Sequence, residues 1–159
     1  MEMTPEIKAD LNRGYRYAIA CDHAGLELKS FLIAQLTARY TAGEVVDLGT
    51  HTTDSVDYPD YAALVCQHVA SQNVDRGILI CGSGIGMSIA ANRHSGIRCA
   101  LVNETLSARL SREHNNSNVI AMGARLLGPN MAWQCLLAWI TTAYIPHPRH
   151  DRRMEKLDK

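Results

Sequence analysis

The chain has no run of about eighteen apolar residues, and residues 1–13 are polar and mixed in charge. Neither a membrane-spanning helix nor a secretory signal is expected, and the protein reads as cytoplasmic. It has no surplus of charge, since 16 Lys and Arg balance 16 Asp and Glu, which argues against a general affinity for nucleic acid or anionic lipid. It has no CxxC, HxxxH or HExxH, so no local metal pattern exists and no metal or other cofactor is expected. Its five cysteines, at 21, 66, 81, 99 and 135, are odd in number and widely spaced, which fits reduced core thiols better than a disulfide framework. Internal repeats, low-complexity tracts and domain boundaries are also missing. The segment Gly82-Ser-Gly-Ile-Gly86 matches neither nucleotide motif: no Gly-Lys-Ser/Thr follows it, and the third glycine of GxGxxG would fall at Met87.

What is present is an ordinary globular composition, 47% hydrophobic and 20% charged over 159 residues, enough for one domain with a single core. Residues 1–14 read as a tail and 15–159 as the folded domain. Apolar runs predict strands at 16–21, 44–48, 78–81, 96–102 and 119–122. Helical spacing predicts helices from Leu28 through Leu32 and Leu36 to near Tyr40 and Gly43, then over 61–70, 87–92 and 104–112. A further helix opens at Pro129 and carries Trp133, Leu136, Leu137 and Ile140, and a basic one covers 149–156. The Pro129 helix has more large apolar residues than one face needs, which suits either a subunit interface or deep burial. Between the second strand and its helix, residues 49–59 form a polar loop long enough to be functional, which makes Asp57 and Tyr58 candidates to face a site. Alternating strands and helices imply an α/β fold, a parallel sheet covered on both faces with right-handed crossovers. In such sheets ligands bind beyond the carboxyl ends of the strands, where Asp22, His23, the 49–59 loop and the turn from Cys81 to Gly86 all fall.

The turn from Cys81 carries the chemistry. A lone cysteine is most often a buried structural thiol, but this one ends a strand, and Gly82, Gly84 and Gly86 follow it into a helix start. Glycines allow close backbone approach, and a helix start offers unpaired N–H groups, so an anion or developing oxyanion is stabilised there and a thiolate is favoured. His23 beside Asp22, and His114 among Asn115, Asn116 and Asn118 ahead of a strand, can be oriented as proton shuttles near neutral pH. Arg149 and Arg153 are four apart and would share a helix face, a spacing suited to two guanidinium groups on one phosphate.

Taken together, Cys21-Asp-His-Ala-Gly25, Ser55-Val-Asp-Tyr-Pro59, Ile80-Cys-Gly-Ser-Gly-Ile-Gly-Met-Ser-Ile-Ala-Ala-Asn92, Ser111-Arg-Glu-His-Asn115 and Arg149-His150 with Arg153 resemble the type B ribose-5-phosphate isomerase (RpiB/LacAB sugar-phosphate isomerase) family. The resemblance runs in order from about Tyr17 to Lys156. It implies a single Rossmann-like three-layer α/β/α domain with a five-stranded parallel sheet, a homodimer or homotetramer with shared active sites, and no metal. It also implies aldose–ketose isomerisation of ribose 5-phosphate and ribulose 5-phosphate through an enediolate. On that resemblance Cys81 is the base, Ser83 and the N–H groups of Gly82, Gly84 and Gly86 hold the enediolate oxygen, and His114 with Asp22 opens the furanose ring. Tyr58 and Asn115 position the sugar, while His23, Arg125, Arg149 and Arg153 grip the phosphate. A glutamate base used by some relatives has no counterpart in Ile85-Gly-Met-Ser-Ile. A 6-phosphohexose such as allose or galactose 6-phosphate is the alternative substrate. A non-catalytic nucleotide-binding module is the rival of another class, and it leaves Cys81, His114 and the terminal arginines without roles.

Overall fold

The computed structural model describes residues 14–39 and 44–158. The expected tail before Gly14 and the first helix's expected end at Tyr40 to Gly43 lie outside the described residues. Five strands, β1 (Arg16–Cys21), β2 (Glu44–Asp47), β3 (Arg76–Cys81), β4 (Cys99–Leu101) and β5 (Val119–Gly123), form one sheet in the order β2-β1-β3-β5-β4. All four pairings are parallel. Among the described residues six α-helices accompany them: α1 (Leu26–Arg39), α2 (Tyr58–Ala70), α3 (Ile85–Ala91), α4 (Thr105–Asn115), α5 (Pro129–Thr141) and α6 (Pro148–Leu157). A 3-10 turn, His23–Gly25, joins β1 to α1.

Strand alternation sorts the core into two layers. Tyr17, Ile19, Ile78, Ile80, Ile120 and Met122 face one side, where Leu28, Leu32 and Leu36 of α1 and the apolar face of α5 cover them. Ala18, Ala20, Leu79, Cys81 and Ala121 face the other, against Ala62, Val65 and Val69 of α2 and Met87 and Ala91 of α3. Cys81 is therefore on the α2/α3 side at the end of the central strand. From β1 the chain leaves toward β2, and from β3 it leaves toward β4 on the opposite flank, so the sheet's switch point is the crevice beyond the carboxyl ends of β1 and β3.

Three expectations are corrected, and one of two alternatives for the Pro129 helix is met. The 49–59 loop stops at Asp57, because Pro59 sits in the first turn of α2, where its missing N–H leaves no bond unmade. The polar run 111–118 is helical as far as Asn115, so His114 and Asn115 belong to the last turn of α4; Asn116, at φ 43°, ends the helix in the left-handed conformation. The fourth strand is Cys99–Leu101 rather than 96–102, since ahead of it Arg98 is held in a loop, its N–H donating to Asn118 Oδ1 and its carbonyl accepting the Asn118 N–H. The apolar surplus of α5 is buried in the chain's own core, with Trp133, Leu136, Leu137, Trp139 and Ile140 all nearly inaccessible.

A buried lysine pins the start of the 48–57 loop. Lys29, 1% exposed, donates to Asp47 Oδ1 at 2.6 Å and to the Thr50 carbonyl at 2.8 Å. Gly49 O accepts the Cys21 N–H, and Thr50 N–H donates to Cys21 O, so the loop leaves directly beside Asp22.

Candidate active site

The turn after β3 takes its shape from Gly84, whose φ of +76° is left-handed; a side chain there would also strike Leu101 and the Met122 backbone within 2.8 Å. In that conformation the Gly84 N–H donates to Cys81 Sγ at 3.1 Å. Ser83 Oγ accepts the Ile85 N–H at 3.3 Å. The N–H groups of Ser83 and Gly86 have no acceptor among the described residues, as expected where a helix begins.

Three further segments converge on the turn. Asp22, buried at the end of β1, caps the 3-10 turn: its Oδ1 accepts from Ala24 N–H at 2.9 Å and Gly25 N–H at 3.2 Å. His23 Nδ1 accepts the Val56 N–H at 3.3 Å, which leaves Nε2 as the nitrogen that carries the proton in the neutral ring. Tyr58 opens α2 with its ring so close to Gly86 that a Cβ there would lie 2.6 Å from Cζ. Beyond β5, the Arg125 guanidinium lies over Gly82, with Nη1 3.3 Å from where a Cβ would sit. Asp22, Tyr58, the Cys81-Gly82-Ser83 turn, Gly86 and Arg125 line one cavity of about 330 Å³. Leu126, 60% exposed, also lines it. Sequence reasoning missed this residue, and the Leu126-Leu127 pair carries no signal of which leucine turns inward.

The other expected residues form a second group at the opposite end of the sheet. Helix α4 runs back from the carboxyl end of β4 to the amino end of β5, as a parallel crossover requires, and α5 returns the chain to that same end. Glu113 O accepts the Ile145 N–H there. His114 stacks tilted on His150, ring centroids 4.8 Å apart, and Arg149 Nε donates to His150 Nε2 at 3.2 Å. Arg149 and Arg153 do share α6, both exposed. Asn115 borders a cavity of about 380 Å³ with Arg98 and Cys99. One chain thus brings Asp22, Tyr58, Cys81, Ser83 and Arg125 together, and keeps His114, Asn115, Arg149 and Arg153 apart from them.

Burial pushes Cys21, Cys66 and Cys135 up to about 11, and Cys99 higher still, so these four stay protonated and inert at neutral pH. The larger cavity is bordered by one of these four thiols, Cys99, and the smaller one by Cys81.

A parallel α/β sheet with a thiol, a carboxylate and an open glycine turn at its switch point defines a small-molecule enzyme site. The chain belongs to the Ribose/Galactose Isomerase family, which it matches over residues 17–157. It is 46% identical over 146 residues to the putative sugar phosphate isomerase YwlF of Bacillus subtilis, covering 89% of this chain and 94% of that protein. It is 44% identical over 142 residues to ribose-5-phosphate isomerase B of Escherichia coli, covering 89% and 93%. The type B ribose 5-phosphate isomerase of Trypanosoma brucei has a similar structure, with a TM-score of 0.88 and 39% identity over 91% of this chain and 97% of that one.

Proposed function

We propose that this protein interconverts ribose 5-phosphate and ribulose 5-phosphate. The observation that carries the reading is that Cys81 lines one cavity with Asp22, Tyr58, Ser83 and Arg125, in a family whose named members include ribose-5-phosphate isomerase B. In the open-chain aldose the Cys81 thiolate takes the proton from C2. The C–H electron pair becomes the C1–C2 double bond and the carbonyl oxygen becomes an oxyanion. Ser83 and the open N–H groups of the turn stabilise that oxygen, a contribution typically of about 3 kcal/mol per donor. Returning the proton to C1 while the O2 proton passes to O1 completes the ketose.

His114, with Asp22, opens the furanose ring; Asn115 and Tyr58 align the sugar; His23, Arg125, Arg149 and Arg153 hold the phosphate. Their separation within one chain supports a homodimer in which the amino end of one copy's sheet closes the Cys81 cavity of the other. We place this enzyme in the cytoplasm; among the described residues no helix is long and apolar enough to cross a membrane.

Incubation with ribose 5-phosphate in deuterated water tests the reading. Ribulose 5-phosphate should appear with solvent deuterium at C1, and a protein that forms no ketose and exchanges no C2 proton sinks it. The family description also includes galactose, so the same assay on allose and galactose 6-phosphates compares kcat/KM for the six-carbon alternative.

A further inference from the structure

Two guanidinium groups are buried where the amino end of β3 meets α4 and the end of α5. Arg76 is 7% exposed and Arg112 6%. Neither pairs with a carboxylate among the described residues. Arg76 Nη1 donates to Ile140 O at 3.1 Å, and its guanidinium lies 4.6 Å from the Tyr15 ring centroid and 5.3 Å from that of Trp139. Arg112 Nε donates to Thr142 O at 3.4 Å and Nη1 to Ser117 O. Carbonyls and ring faces soften two positive charges but neutralise neither, and burying like charges without a counter-charge is costly. The strain shows in Arg112, which burial and then the neighbouring Arg76 pull down to about 10.

Both side chains line a cavity of about 100 Å³ bounded by Tyr15 and residues 141–144. Arg76 Nε and Nη2 and Arg112 Nη2 have no acceptor among the described residues, yet no fully enclosed side-chain polar atom among them lacks a partner. These N–H groups are therefore not fully enclosed, and the cavity that both residues line is where an acceptor can reach them. We propose that Arg76 and Arg112 form a binding site for a small inorganic anion of the chloride class, separate from the sugar-phosphate site. The volume exceeds the roughly 10–15 Å³ that a single water needs, so such an ion fits together with a water. Guanidinium donors on two elements give it the charge-assisted bonds that the carbonyls cannot. Because Arg112 lies two residues before His114, the bound ion would brace the last turn of α4, which carries His114 and Asn115.

Crystals of the full chain soaked in sodium bromide, with diffraction recorded at the bromine edge, test the site directly. The expected result is an anomalous peak between Arg76 and Arg112; peaks at surface lysines only, or none, overturn the proposal. In solution, replacing sodium gluconate by sodium chloride at fixed ionic strength should raise Tm in a saturable way, and Arg76→Met should abolish the rise. A rise that persists undiminished in Arg76→Met overturns the proposal as well. Should that variant not fold, the bromide peak in the parent protein decides. Neither measurement uses the isomerase activity, so failure of the proposed reaction and failure of this site are read separately.

Discussion

The Gly84 N–H donates to Cys81 Sγ at 3.1 Å, which fixes the sulfur against a backbone that can stay polar through the reaction. Serine in that place would keep the hydrogen bond but lose the acidity of a thiol, and alanine would lose both. Cys81→Ala should therefore lower kcat for ribose 5-phosphate by about a hundredfold to ten-thousandfold, the range of a positioned base, with KM little changed. Steady-state kinetics check it, and activity near the parent level removes Cys81 from the mechanism.

Gly86 keeps Tyr58 in place by having no side chain. An alanine Cβ would stand 2.6 Å from the ring, and Tyr58, 39% exposed, can swing outward to make room without disturbing the core. Gly86→Ala should leave Tm nearly unchanged while raising KM by about tenfold, equivalent to about 1.4 kcal/mol of binding. If the displaced ring is the cause, adding Tyr58→Ala to Gly86→Ala costs little more. Full additivity of the two would separate them.

The sequence was legible where a local rule acts alone. β1 was expected at 16–21 and is Arg16–Cys21, because an apolar run bounded by polar residues admits little else. It misled at Pro59, which ends loops and opens helices with equal ease, and at His114, since the run Ser111 to Asn118 is polar whether helical or not. The two-part character of the site could not be read from spacing. It follows from the direction of α4, and that direction is fixed by the parallel pairing of β4 with β5, a non-local fact. Arg125 came only through family resemblance; its position over Gly82 depends on Gly123 pairing with Cys81 across the sheet.

Alkaline stability follows from the buried thiols. Burial raises Cys66 from 9.0 to about 11, and Cys21 and Cys135 behave alike. Between these values the unfolded chain has released protons that the native state still holds, so the unfolded state binds fewer protons and stability falls as pH rises. The contribution is complete below pH 9 and lost by about pH 11. Tm measured by circular dichroism should decline across that window, and Cys66→Ala should make the decline shallower; an identical slope in the variant would assign it to other groups.

The strongest test of the shared site uses two damaged proteins. Cys81 pairs with Gly123 at the carboxyl end of the sheet, whereas His114 precedes Val119 at the amino end, and those two ends of β5 are about 13 Å apart along the strand at about 3.3 Å per residue. On the proposed mechanism, therefore, each cavity borrows His114 from a second copy of the chain. Cys81→Ala and His114→Ala homodimers should then each be nearly inactive, for every site lacks one group. In a heterodimer of the two, one site collects both lesions and the other collects none. Co-refolding equal amounts should recover about a quarter of the parent activity, since random pairing makes half the dimers mixed and each carries one of two sites. If the mixture stays as inactive as its components while forming dimers by sedimentation, the site is complete within one chain and His114 has another role.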